Sequence, residues 1–197
     1  IDYWPPIIAK FETLHAQQPQ NTDIIDSLAN AYNNYGILLA NHKQWPAAVS
    51  ALQQAIELHP SMLSQVKQNL SNIYFSYGYE LYQNPGDQLY SSEQFGSAKQ
   101  LATQAIALNP NNANAYLLLG DIEYMNQQMP AAQQAWQQAA TLLPNNQDVQ
   151  QRLAKINTET KIESDMNDVY NPYFNIKIDQ NVQINPNFNI TTILQYA

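Results

Sequence analysis

Along this chain, apolar residues recur at helical spacing and stop at prolines. Prolines stand at positions 19, 60, 110 and 144, and fifteen residues before each sits a large apolar residue: Trp4, Trp45, Phe95 and Met129. Between them runs one stripe: Ile7, Phe11, Leu14; Ala48, Leu52, Ala55; Ala98, Ala102, Ala105; Ala132, Trp136, Ala139. These offsets fall on one face of a helix of period 3.6. Proline cannot continue the hydrogen-bond ladder, so each helix is expected to stop there.

A second helix precedes three of these. It reads Tyr32-x-x-Tyr35-Gly36-x-x-Leu39, then Tyr74-x-x-Tyr77-Gly78-x-x-Leu81, then Tyr116-x-x-Leu119-Gly120. Glycine inside a helix costs about 1 kcal/mol relative to alanine. Three glycines at one slot therefore predict a partner helix too close for a side chain. After Pro144 an amphipathic stretch with Val149, Leu153 and Ile156 predicts a terminal helix over 147–162, which would close the exposed end of a stacked core.

The aromatic–aliphatic–Gly helix, the alanine-rich helix and the closing proline resemble the tetratricopeptide repeat. The third copy, Ala113 to Asn146, carries Tyr116, Leu119, Gly120, Ala132, Trp136, Ala139 and Pro144 in register, with Glu123 where Tyr is usual. The resemblance implies an all-α fold, an α-solenoid of helix-turn-helix repeats. Its expected parts are a half-repeat at 1–20, elongated repeats at 21–60 and 61–110, a regular repeat at 111–146 and the capping helix. Seven extra residues in the first repeat lengthen its first helix, and Pro85-Gly86 marks an inserted loop at 84–92 in the second.

From 163 the pattern changes. A polar linker leads to Phe174-Asn-Ile176-Lys-Ile178 and Val182-Gln-Ile184, which alternate with period two and predict a β-hairpin-like tail. The elongated repeats followed by "NPYFNIKID" and "TTILQYA" resemble bacterial proteins that join such repeats to a peptidase MA-like, gluzincin-type domain. That resemblance implies that 163–197 opens a second domain. No H-E-x-x-H occurs, and His15, His42 and His59 are isolated, so the family's zinc site has no counterpart here.

Composition sharpens the picture. Charged residues are 12%, the net charge is −8, and Arg152 is the one Arg. That argues against a duplex nucleic-acid binder, which needs clustered cations. Cysteine is absent, so thiol chemistry, disulfides and zinc–cysteine sites fall away. That absence also fits a periplasmic or extracellular setting. No run of about 18 apolar residues marks a membrane span. Asn and Gln make up about a quarter of the chain and replace charge as its polar residues. No nucleophile–base set, phosphate loop, metal-ligand set or cofactor motif is visible, and none is expected to operate.

Repeats of this kind are expected to bind protein or peptide segments along the concave face of their first helices. Counted from the glycine slot, the candidate groove residues are Asn30, Asn33, Ile37 and Asn41; Asn72, Phe75, Tyr79 and Tyr82; Asn114, Leu117, Asp121, Tyr124 and Met125. Amides can bond to an extended backbone, and tyrosine offers contact area at low entropic cost. Chaperone-tail receptors of this family clamp a terminal carboxylate with cations. The corresponding slots here hold Asn33, Ile37, Ser76, Asn114 and Leu118, which rules that clamp out. Two further expectations follow. The chain is an interaction scaffold, or it is the substrate-recruiting, non-catalytic part of a metallopeptidase-like protein. The 173–190 tail, if it is a lone hairpin, offers edges for self-association.

Overall fold

The computed structural model describes residues 3–83 and 92–174; for 92–94 and 163–174 it describes the backbone. The elements are α1 (Trp4–Gln17), α2 (Thr22–Asn41), α3 (Trp45–Leu58), a 3-10 turn (Pro60–Met62), α4 (Leu63–Gln83), α5 (Ser92–Leu108), α6 (Ala113–Met125), α7 (Met129–Leu142) and α8 (Gln147–Phe174). Among the described residues there is no strand.

Helix ends follow the sequence signals. Each of the prolines at 19, 60, 110 and 144 lies two residues past a helix end. A second set, Pro5, Pro46 and Pro130, sits in the first turn of α1, α3 and α7, where the missing N–H has no intrahelical partner to lose. Asn21 and Asn112 cap α2 and α6, and the Asn146 side chain accepts from Val149 N at 3.2 Å at the start of α8.

The chain divides into two compact units, Ile1–Ile156 and Asn157–Ala197. In the first, α2 packs on α3, α4 on α5 and α6 on α7, and α3–α4 and α5–α6 contacts join successive pairs. This is a stack of helix-pair repeats. The stripe of each second helix is its core: Ala48, Leu52 and Ala55, then Ala98, Ala102 and Ala105, then Ala132, Trp136 and Ala139 are at most 3% exposed.

The glycine slot explains how the pairs close. A Cβ on Gly36 would lie 2.9 Å from Leu52 Cδ1 and 3.0 Å from the Ala48 carbonyl oxygen; on Gly78, 3.2 Å from the Ala98 oxygen. On Gly120 it would run into the Trp136 indole. The glycines are thus where two helices meet backbone to side chain, and each offsets its low propensity by admitting its partner. Gly96 differs, with nothing within 4 Å of its Cβ position.

α2 has 20 residues and α4 has 21, against 13 in α6. The seven added residues of the first repeat therefore lie in α2, whose extra turns supply Leu28 to a cluster with Ile8 and Ala31. The loops after α2 and α6 turn alike. Lys43 and Gln127, each seven residues past the glycine, have φ of 59° and 60°. Gln44 N bonds to Leu39 O and Gln128 N to Glu123 O, both at 2.9 Å, closing the helix ends in a Schellman-type turn. Glu123, the departure from the repeat pattern, is 6% exposed and pairs with Lys99 Nζ at 2.7 Å, tying α6 to α5.

The tail differs from expectation at its start. α8 does not end at 162 but runs to Phe174, so 163–173, expected as a linker, is helical, and Phe174, expected to open a strand, closes the helix. The 163–171 stretch has no glycine or proline to break a helix already under way. The hairpin over 175–190 and the inserted loop over 84–91 lie outside the described residues. In the second unit, the described part is this continuation of α8 from Asn157.

Candidate functional site: the first-helix face

Helix geometry fixes which slots share a face. Positions six and three before the glycine, and one and five after it, lie on one stripe. The slot four after lies on the glycine's own side and turns toward the second helix. The candidate residues divide accordingly. Asn30, Ile37, Asn41, Asn72, Tyr79, Asn114 and Met125 are exposed, with Phe75, Leu117 and Asp121 half-buried among them.

Three candidates are corrected. Tyr82 and Tyr124, both four after a glycine, are held against their own repeats. Tyr82 meets Phe95 edge-on with ring centroids 6.0 Å apart, and Tyr124 lies 5.5 Å from Trp136. Asn33 is 3% exposed and binds neighbouring helices together: Asn69 Nδ2 donates to its Oδ1 at 3.2 Å, linking α4 to α2. Gln83, five after Gly78, was missed. It is exposed and donates to the Tyr79 hydroxyl at 2.5 Å; the slot rule finds it.

Two clefts open on this face. The first, about 290 Å³, lies between α2 and α4 and is lined by Ile37, Ala40, Asn41, Trp45, Asn69, Asn72, Ile73 and Ser76. The second, about 330 Å³, lies between α4, α6 and the start of α8 and is lined by Phe75, Tyr79, Asn114, Leu117, Leu118, Asp121, Asp148 and Arg152. Phe75 and Tyr79 stack at 5.8 Å, one turn apart.

The second cleft holds the chain's one arginine. Arg152 Nε donates to Asp121 Oδ1 at 2.6 Å and Nη2 to Oδ2 at 2.9 Å, a bidentate pair. Its Nη1 pairs with Asp148. The bond to Asp121 holds the guanidinium above its ordinary pKa, against the opposing pull of desolvation. Asp121 Oδ1 also accepts from Trp136 Nε1 at 3.0 Å. One carboxylate thus joins α6, α7 and α8. Sequence position gave no sign of this, because Asp121 and Arg152 meet only when α8 docks.

A buried polar chain lies behind the groove. Ser71 Oγ donates to the Ala105 oxygen at 2.7 Å and accepts from Asn112 Nδ2 at 2.9 Å. Ser71 is 0% exposed and Asn69 half-buried, and their side chains link α4 to α5 and α2.

Residues 86–147, the stretch carrying α5, α6 and α7, match the tetratricopeptide repeat family. No curated protein matches the chain in sequence. Among solved structures, the chain is similar to the Arabidopsis OM64 TPR domain, at 18% identity over 68% of this chain and 98% of that one, with a TM-score of 0.43. It is similar to the first TPR of Spaghetti (RPAP3), a structure bound to the HSP90 peptide SRMEEVD, at 18% identity over 69% and 98%, with a TM-score of 0.42. It is similar to MamA at 18% identity over 80% and 78%, again with a TM-score of 0.42.

Proposed function

We propose that the chain is a protein-interaction scaffold that holds an extended segment of a partner along its first-helix face. One observation carries this reading. Ile37, Tyr79 and Met125 are 36%, 41% and 43% exposed in a row of amides, while the stripes of α3, α5 and α7 are sealed. Apolar side chains placed repeatedly on one open face mark a contact surface. The exposed amides Asn41, Asn72 and Asn114 can bond to a main chain without regard to its sequence. The groove's cation is already paired, so affinity comes from contact area and neutral hydrogen bonds and depends little on salt.

The test is selection of a displayed random peptide library on the full chain. Selected peptides are expected to bind with nearly constant affinity as salt rises, and Ile37→Lys with Met125→Lys should abolish binding, while Gln137→Lys on the exposed side of α7 leaves it unchanged. A steep salt dependence, or binding indifferent to the groove pair, would sink the proposal. A second use of such a groove, recruiting substrate for an adjoining peptidase-like domain, rests on the sequence resemblance of "NPYFNIKID" and "TTILQYA" alone, and the first four residues of the former close α8. That use expects an H-E-x-x-H helix encoded beyond Ala197; a stop codon directly after Ala197 ends it.

A further inference from the structure

We propose that the cleft between α4, α6 and α8 receives one aromatic side chain with a donor at its tip, tryptophan or tyrosine, from an extended partner segment. This deepens the groove reading and rests on it.

Shape sets the first limit. About 330 Å³ is at the lower end of small-molecule sites, which run from ~300 to 1,000 Å³. It has room for one large side chain. Its apolar wall is Phe75 and Leu117, with the half-open Tyr79 ring stacked alongside. Aromatic pairs in offset or edge-on contact add about 0.5–1.5 kcal/mol beyond area burial.

Charge sets the second. The cleft holds two carboxylates and one guanidinium, and that guanidinium is engaged by both. An acidic side chain or a chain terminus would meet Asp121 and Asp148 with no cation to receive it. What the cleft offers instead is acceptors. The Asp148 side chain is 65% exposed, and Asn114 at the mouth makes no side-chain hydrogen bond among the described residues.

The molecule already solves this recognition problem twice. Trp136 Nε1 donates to Asp121 and, at 3.2 Å, Trp45 Nε1 donates to Glu80 Oε2. In each case an indole lies on a first helix with its N–H on that helix's carboxylate. An incoming indole or phenol finds the same combination in the open cleft: an aromatic wall, then a carboxylate at the rim. Asn114 is placed to hold the main chain beside it.

The experiment records amide spectra of the 15N-labelled full chain during titration with N-acetyl-L-tryptophanamide. N-acetyl-L-glutamic acid amide and N-acetyl-L-argininamide serve as competing chemistries. The tryptophan probe is expected to move the signals of Phe75, Tyr79, Asn114 and Leu117. Tyr79→Ala should weaken it about fivefold, the effect of one lost aromatic pair. Asn114→Trp, which fills the mouth from within, should abolish it. Equal response to the glutamate or arginine probe, unchanged binding in Tyr79→Ala, or no response at these signals overturns the proposal. Library peptides that need Ile37 and Met125 but ignore Tyr79 would leave the groove reading standing and remove this one alone.

Discussion

α1 and α7 carry the same stripe and end in different states. In α7, Ala132, Trp136 and Ala139 are at most 3% exposed, and in α1 the matching Ile7, Phe11 and Leu14 are only half-buried. The difference is in the neighbours. α7 packs on α6 of its own repeat, with Gly120 admitting the indole, and meets Leu153 and Ile156 of α8, whereas among the described residues α1 packs chiefly on α2. α1 buries its adjacent Ile8 against Leu28 and Ala31. A second helix is therefore sealed when a helix covers it on both sides, its own first helix and the following one.

This comparison can be broken by large-to-small substitution. Trp136→Ala is expected to cost about 3–5 kcal/mol, and Phe11→Ala about 1 kcal/mol, as half-exposed side chains lose less on truncation. Urea unfolding of the two variants checks this; equal losses would mean that α1 is sealed as fully as α7.

The glycine seam gives the next effect. Gly120→Ala drives a Cβ into Trp136 and should destabilise by about 1–3 kcal/mol. Gly96→Ala, with open space around it, should stabilise by about 0.5–1 kcal/mol through helix propensity alone. If both changed stability in the same direction, close approach would not be the reason for the repeated glycine.

The smallest effect is read at the α1–α2 contact. The Tyr32 hydroxyl donates to Glu12, and burial together with that bond raises its pKa from 10.0 to about 12. The folded-state value lies above the unfolded one, so its contribution is complete below pH 10 and is lost as pH rises toward 12. Tyr32→Phe should remove that part of the alkaline loss. The measurement is the difference between wild-type and variant stability across this range, which cancels the titration of the other tyrosines.

The repeat was legible in residues because its determinants are local and recur. Period 3.6, the glycine slot and the prolines each act within a turn or two. The same rule separates the groove slots from Tyr82 and Tyr124, which a four-residue step places on the glycine side. Lys43 and Gln127 were not legible, since neither is the glycine or asparagine that favours positive φ. The run of α8 through 163–174 was obscured by its polar composition, which resembles a linker as much as a solvated helix.

By itself the sequence determined the helix pairs, their core stripes and the charge-poor face, because each depends on spacing within one helix. Tertiary structure alone decided that Asn33 is a link between helices, and that Asp121 gathers Trp136 and Arg152 into one wall. Those contacts join residues up to 36 positions apart. Their geometry exists only after helices from different repeats have packed, and no local pattern encodes it.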